Sequence, residues 1–479
     1  MIEKREFYID GAWVAPKQPH DLAVINPSTE EPFAIISLGG QADTDAAVAA
    51  ARRAFGQWSQ SSHDSRLALV RRILEVYETR AEDMSQAISQ EMGAPIDMAR
   101  ASQTTSGSWH INAFLEAFPH VEFERLLGPQ APDNLIVLEP IGVVAMITPW
   151  NWPMNQVALK VIPALLAGCT MVLKPSEIAP LSSIVFAEIM DQAGVPAGVF
   201  NMVNGDGVGV GTQLSVHPDV DMVSFTGSTR AGVLISKAAA DTVKRVHLEL
   251  GGKGANIVFA DSDPGAVRRG VADCFGNTGQ SCNAPTRMLV ERKIYDRAVA
   301  EAAEQANATT VGPAHLSGNH LGPVVSQAQY DKIQSMIEAG IAEGARLIAG
   351  GLGRPDGMNR GFFVQPTVFA DVSNDMTIAR EEIFGPVLSM IPFDTEEEAL
   401  AIANDTVYGL TNYVQTQDPA KAKRAARALR SGMVRINGRG LGAGHPFGGM
   451  KRSGSGREGG VWGIEDFCEI KAIAGWSDT

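Results

Sequence analysis

The chain has little of what would tie it to a membrane, a nucleic acid or a metal. Four of its 479 residues are cysteine (Cys169, Cys274, Cys282, Cys468), too few and too scattered for a disulfide framework, and none stands in a Cys-x-x-Cys pair. The nine histidines nowhere cluster at ligand spacing, so no metal site is expected. Basic residues are outnumbered, 40 Lys and Arg against 54 Asp and Glu, and the net charge of −14 argues against nucleic acid or an anionic membrane as the main partner. A long apolar run is missing too. The most apolar stretch, 157–173, is interrupted by Lys160, Pro163 and Gly168 and cannot span a bilayer. The charged opening Met1-Ile2-Glu3-Lys4-Arg5-Glu6 has no apolar stretch behind it, unlike a signal peptide, so a soluble cytoplasmic protein is expected. Aromatics are only 6%, which leaves the core to Ala, Val, Leu and Ile. At 45% apolar, this length supports two or three compact domains.

What is present is ordered patterning. Phe7-Tyr8-Ile9 and Trp13-Val14 around Asp10-Gly11 predict a hairpin. Ala46, Ala47, Ala50, Ala51, Ala54, Phe55 and Trp58 recur at helical spacing, with Asp43 or Thr44 as the expected cap. One long amphipathic helix is expected over 64–91 and a less regular one over 95–118. From 141 to 249, short continuous apolar runs (143–147, 170–173, 199–203, 222–225, 246–248) alternate with helical segments (155–166, 181–193, 208–215, 230–240). That pattern is a parallel sheet covered on both faces, which binds ligands at the C-terminal ends of its strands. A second alternating region runs over 255–437. The segments 122–139 and 467–474 lack a helical period and read as extended hairpins. There is no internal repeat.

The predicted strand ends carry chemistry, and each has a plainer reading beside it. In Thr148-Pro149-Trp150-Asn151-Trp152-Pro153 the Asn151 amide can donate to a developing oxyanion, or simply hold a turn. Lys174-Pro175-Ser176-Glu177 offers a cation and a carboxylate to a ligand, or two solvated loop charges. Gly205-Asp206-Gly207-Val208-Gly209-Val210-Gly211 allows close backbone approach at a helix start, but departs from the Gly-x-Gly-x-x-Gly fingerprint at Val210. Phe225-Thr226-Gly227-Ser228-Thr229 opens a helix in a manner suited to phosphate. Glu249, between leucines at a sheet edge, is a desolvated general base or a capping carboxylate. Cys282, exposed in the polar loop Gly279-Gln280-Ser281-Cys282-Asn283-Ala284-Pro285, is a candidate nucleophile. Cys169, Cys274 and Cys468 read as structural.

Taken together, Thr148-Pro149-Trp150-Asn151, Lys174-Pro175-Ser176-Glu177, Phe225-Thr226-Gly227-Ser228, Glu249-Leu250-Gly251-Gly252-Lys253 and Gly279-Gln280-Ser281-Cys282 resemble the signature set of the NAD(P)-dependent aldehyde dehydrogenase superfamily. Glu381-Glu382-Ile383-Phe384-Gly385-Pro386-Val387 and Pro446-Phe447-Gly448-Gly449-Met450-Lys451-Arg452-Ser453-Gly454 match it as well. The resemblance covers the chain from about residue 7 to about 472, in the family's order. It implies an α/β fold with two parallel-sheet domains. These would be a Rossmann-like NAD-binding domain (1–121 and 141–250) and a catalytic domain (251–450), with oligomerisation segments at 122–140 and 467–479 that build a homodimer or homotetramer. It implies Cys282 as nucleophile, Asn151 as oxyanion donor and Glu249 as the base that hydrolyses a thioester.

By the same resemblance, Lys174 and Glu177 hold the adenosine ribose, Trp150 and Ser228 the pyrophosphate, and Phe225 lies near the adenine. Glu382 holds the nicotinamide ribose with Phe384 packing nearby, and the Gly207 and Gly211 backbones line the groove. Ile147, Thr148, Pro149, Ser176, Gly227 and Leu250 are the remaining cofactor-binding positions. Glu177 should repel a 2′-phosphate, so NAD is expected over NADP, with NADP still possible. The substrate funnel would be lined by Trp152, Gln156, Leu159, Ser281, Asn283 and the loop 440–447 with Phe447. No Arg or Lys stands out as a substrate clamp, although Arg287, Arg435 and Arg439 stay open, and an uncharged aromatic or medium aliphatic aldehyde is expected. The competing readings are an NADP-preferring semialdehyde dehydrogenase, a CoA-acylating relative, a cysteine hydrolase without redox chemistry and a non-catalytic protein that kept the fold.

Overall fold

The computed structural model describes residues 1–476. An eight-stranded sheet takes the strands in the order Gly454–Ser455, Arg245–Glu249, Met222–Thr226, Val143–Ile147, Thr170–Lys174, Phe200–Met202, Phe7–Ile9, Ala12–Val14. The middle five are parallel and the outer ones antiparallel. Alternate residues of one strand enter different cores. Val144 and Met146 pack with the helices Pro153–Ala167 and Leu181–Gln192, while Val143, Ala145 and Ile147 pack with the helix Gln41–Trp58. A strand buried on both faces must be apolar throughout, which is why these runs do not alternate. Each fully buried Val or Leu contributes about 1.5–3 kcal/mol.

The strand order reverses at Val143–Ile147. The chain first adds Thr170–Lys174 and Phe200–Met202 on one side, then returns to lay Met222–Thr226 and Arg245–Glu249 on the other. The loops that leave the two neighbouring strands Val143–Ile147 and Met222–Thr226 therefore diverge to opposite sides and leave a crevice, the usual ligand site of such sheets.

A seven-stranded sheet follows in the order Arg346–Ala349, Thr367–Ala370, Val387–Phe393, Arg287–Glu291, Ala255–Val258, Thr411–Gln415, Met433–Ile436, parallel except for the first. Cys282 lies in the loop that enters its strand Arg287–Glu291. Among the described residues no helix is long and apolar enough to cross a membrane.

The structure corrects several expectations. The expected helix over 64–91 is two helices, His63–Thr79 and Ala81–Met92, broken at Arg80 (φ −104°, ψ 11°). The Arg80 guanidinium pairs with Asp83 and with Glu188 on another helix, a tertiary pull with no Pro or Gly to announce it. The first alanine-rich helix is capped by Gly40. Asp43 is its third residue and accepts the Gly40 N–H at 3.0 Å, while Thr44 donates to the Gly40 carbonyl. The segment Cys468–Ala474 is a single strand, not a hairpin; it joins Ala131–Pro140 and Glu124–Gly128 in a three-stranded sheet. Residues 477–479 of the expected oligomerisation segment lie outside the described residues. A further small sheet of Ile2–Lys4, Glu31–Ser37 and Asp21–Asn26 was not anticipated.

Candidate active site

Glu249 ends its strand not at the sheet edge but between two neighbours, paired with Thr226 on one side and Gly454 on the other. The turn after it, Leu250-Gly251-Gly252, carries no side chain where the chains approach closest. A Cβ at Gly252 would strike the Cys282 carbonyl oxygen, and one at Gly251 the Glu382 carboxylate. The two glycines thus let the base-bearing turn lie against both the cysteine loop and Glu382. The Gly252 N–H donates to Glu382 Oε1 at 2.8 Å.

The cysteine loop is held by buried amides. Asn277 and Thr278 adopt left-handed backbone (φ 54° and 56°), a strain that persists only where surroundings impose it. Asn277 Nδ2 donates to the Asn151 carbonyl (2.9 Å) and to the Gln280 carbonyl (3.2 Å); Gln103 Nε2 donates to the Asn151 carbonyl and to Asn277 Oδ1, both at 3.1 Å. Asn151 Nδ2 donates to the Gln280 carbonyl at 3.0 Å, which fixes its carboxamide and leaves its second N–H free for an oxyanion. Asn277 and Gln103 escaped the sequence reading; positive φ at a non-glycine leaves no trace in composition.

Cys282 is half-buried, not freely exposed. Burial and the charges of Glu382 and Glu249 push its thiol well above the ordinary range, so it rests as a neutral thiol. Glu249 is 2% exposed, and neither carboxyl oxygen has a hydrogen-bond partner among the described residues. Burial, with the Glu458 charge adding to it, pushes its carboxyl up to about 7, against the opposing pull of His247. A base poised near neutrality beside a neutral thiol is suited to moving protons.

A cavity of about 210 Å³ joins these groups to the switch-point turns. Pro149, Trp150, Thr226, Gly227, Ser228, Leu250, Gly251, Glu382 and Phe384 line it together with Cys282, Glu249, Asn151 and Gln156. Trp150 and Phe384 meet edge to face at 5.5 Å. Ser228 caps the helix Thr229–Ala239, so its free N–H groups face the crevice, and Thr226 Oγ1 is buried without a partner among the described residues. A glycine-walled cleft, a helix start for phosphate and an orphaned hydroxyl fit a dinucleotide.

The other expected cofactor residues lie outside this cavity. Ile147 ends its strand and Thr148 follows it, buried. Lys174 is buried, not solvated. Its Nζ donates to the Gly205 and Pro175 carbonyls (2.6 and 2.8 Å) and stands 3.4 Å from Glu177, and burial lowers its pKa. Ser176 is buried, while Glu177 and Gly207 reach solvent and Gly211 lies under the Lys174 stem. Phe225 is buried in the core, against Gly227.

A second cavity, of about 240 Å³, is lined by Asn283, the chain neighbour of Cys282. Of the expected funnel residues, Leu159, Asn283 and Phe447 line it, whereas Gln156 faces the first cavity. Trp152 Nε1 donates to Ser281 Oγ at 2.9 Å, and this pair lines neither. Trp109, His110, Phe114, Asn155, Arg435, Leu441 and His445 complete the wall. Leu441 and His445 belong to the expected loop 440–447 and Arg435 had stayed open; Trp109, His110, Phe114 and Asn155 came unflagged. Trp109, His110 and Phe114 lie on a helix whose pattern gave no sign of them. Arg287 is unavailable: it is buried and donates to the carbonyls of Lys253, Ile402 and Ala403. Arg439 is exposed outside the funnel.

Fold and site together define an α/β protein whose switch-point cavity joins a cysteine, a buried carboxyl and an amide to turns that fit a dinucleotide. The aldehyde dehydrogenase family model matches residues 13–473, and the chain belongs to that family of NAD(P)-dependent aldehyde-oxidising enzymes. It is 52% identical over 481 residues, covering 100% of both chains, to a 3-succinoylsemialdehyde-pyridine dehydrogenase of Pseudomonas sp.. A crystal structure of aldehyde dehydrogenase from Bartonella henselae matches with a TM-score of 0.98 at 60% identity, over 99% of this chain and 100% of that one. A mutant of aldehyde dehydrogenase C from Pseudomonas syringae, complexed with NAD+ and octanal, matches at 0.97 and 50% identity, over 99% and 97%.

Proposed function

We propose that the chain oxidises an aromatic or medium aliphatic aldehyde to its acid with NAD, through covalent chemistry on Cys282. The observation that carries this is the single cavity shared by the Cys282 thiol, the Asn151 amide, the Glu249 carboxyl and the switch-point turns. Residues 1–121 and 141–250 form the dinucleotide-binding domain and 251–450 the catalytic domain. Trp150, Gly227, Ser228, Leu250, Glu382 and Phe384 hold the nicotinamide and pyrophosphate portion, and Lys174, Ser176, Glu177, Gly207 and Gly211 the adenosine end. The carboxylate of Glu177 favours a ribose hydroxyl over a phosphate, hence NAD over NADP.

The Cys282 sulfur bonds the aldehyde carbon as its thiol proton passes to solvent, and the Asn151 amide with the Cys282 backbone N–H holds the resulting oxyanion. Bound nicotinamide dinucleotide supplies the hydride acceptor that the chain lacks. Cys282 is left carrying a thioester. Glu249 then takes a proton from water as the water oxygen bonds the acyl carbon; the carbon–sulfur bond breaks and the acid leaves. Glu249 works only when ionised. Since its carboxyl is raised to about 7, the hydrolysis rate rises as pH climbs through about 7 and falls below it.

The funnel wall supports the substrate class. Trp109, Phe114, Leu159 and Phe447 suit an apolar body, and Arg435, stacked on Tyr413 at 5.4 Å, offers a donor to an acceptor-bearing tail. Two of the three named relatives fit this range, one complexed with octanal and one named for a pyridine semialdehyde. The exposed Leu126, Leu127 and Ile470 on the three-stranded sheet support a homo-oligomer built on that sheet.

Stopped-flow NADH formation tests the reading. The wild type turns over hexanal and benzaldehyde with NAD. Glu249→Gln gives a burst of about one NADH per subunit and then stalls as the acyl-enzyme. Steady turnover by Glu249→Gln removes it as the base; silence of the wild type across such aldehydes, with NAD bound, removes the substrate class.

A further inference from the structure

Two residues before Glu249, on the same face of the strand, stands His247, itself 4% exposed. Its Nδ1 is hydrogen-bonded to Asp466 Oδ2 and its Nε2 lies 3.5 Å from Glu249 Oε1. Both ring nitrogens thus face carboxylate oxygens, which only accept, and only the imidazolium carries a proton on each. The backbone makes room for the ring. Gly456 (φ +91°) packs so closely on it that a Cβ would overlap Nδ1 and Cε1.

The surrounding charges need this cation. The helix Pro153–Ala167 brings buried Lys160, whose Nζ bonds Glu458 Oε1 at 2.5 Å and so is already committed. Glu458 itself adds negative charge near Glu249. From the flanking loop, Arg457 donates to the Gly449 and Gly456 carbonyls (2.7 and 2.6 Å). From the base strand, Arg245 donates to the Asp466 and Cys468 carbonyls and pairs with Glu469. Every other cation packed here is thus engaged elsewhere. Without His247, Lys160 on Glu458 would be the one ion pair left among the three carboxylates Glu249, Glu458 and Asp466 within the described residues.

We propose that His247, clamped as an imidazolium by Asp466, is a positioning residue that keeps Glu249 ionised and aimed for thioester hydrolysis. It touches neither substrate nor cofactor and acts only through the base, so the inference rests on Glu249 being that base. Burial disfavours the ring's charge, but Asp466 and Glu249 outweigh it and push its pKa to about 9, so the imidazolium persists across the range where Glu249 titrates. Hydrolysis needs the carboxylate, whereas the burst that precedes it does not. Loss of the counter-charge falls on the second step.

The test compares burst and steady-state NADH formation from about pH 5.5 to about pH 9.5 in His247→Gln and His247→Asn, amides that keep a polar contact to Asp466 and lose the charge. The ionisation limb of the steady rate is expected to move up by about one unit or more, a drop of about tenfold near pH 6, with the burst amplitude kept. An unmoved limb overturns the proposal, whether turnover is normal or lowered equally at every pH, because a merely structural histidine would act that way. Should neither variant fold, wild-type enzyme labelled with 15N-histidine decides. One of the nine histidines is expected to keep both ring nitrogens protonated above about pH 8; if all have lost the second proton by then, the proposal falls. Glu249→Gln separates the two claims. If it stalls after its burst while the His247 limb stays put, only this inference fails; if it turns over steadily, the base assignment fails first.

Discussion

The two cavities, one lined by Cys282 and the other by its chain neighbour Asn283, are built in opposite ways. The cofactor side is made of strand ends and glycine turns, each contributed by a short contiguous motif. The substrate side is made of side chains from five segments: the helices carrying Trp109 and Leu159, Asn283 beside Cys282, Arg435, and the 440–447 loop. A wall of backbone is fixed by topology and tolerates little change. One of scattered side chains is free to vary without touching the chemistry. Reaction and specificity are thus stored in different kinds of structure.

That contrast can be broken from either side. Cys282→Ala, the largest effect, should lower aldehyde oxidation on the order of a thousandfold or more while nicotinamide dinucleotide still binds by fluorescence quenching; retained turnover would end the covalent mechanism. Asn151→Ala should slow the burst about 100- to 1000-fold for every aldehyde alike. An effect confined to some aldehydes would move Asn151 to the specificity side. Arg435→Met should cut kcat/KM about 10- to 100-fold for aldehydes with a polar or anionic tail and leave hexanal nearly unchanged. Equal losses for both would mean that Arg435 supports the fold rather than the substrate. Smallest is Glu177→Ser, expected to shift the NAD-to-NADP preference about three- to tenfold towards NADP, since Glu177 is partly solvated and its field is screened. No shift would place the ribose elsewhere.

The same contrast explains what the sequence disclosed. The strand–helix alternation over 141–249 was legible because buried parallel strands must be continuously apolar, and the turns after them because glycine, proline and charge are conspicuous there. Cys282, Glu249 and Asn151 were each ambiguous alone; the structure brings them into one cavity. The break at Arg80 was hidden because Glu188, a partner on a distant helix, causes it. Trp109, His110 and Phe114 read as an ordinary amphipathic face, since helical periodicity cannot tell a core from a funnel. Asp466 was invisible as a partner of His247 for a like reason: 219 residues separate them.

The strand Cys468–Ala474 lies against Ala131–Pro140, where Lys471 pairs with Glu139 across 332 residues of chain. During synthesis the hairpin 124–140 is therefore complete long before its third strand exists, and for that interval its strand Ala131–Pro140 presents an open edge. Translation time becomes exposure time. Chaperone occupancy, or slow elongation over the middle of the message, would bear on the yield of active enzyme through this edge more than through either large sheet.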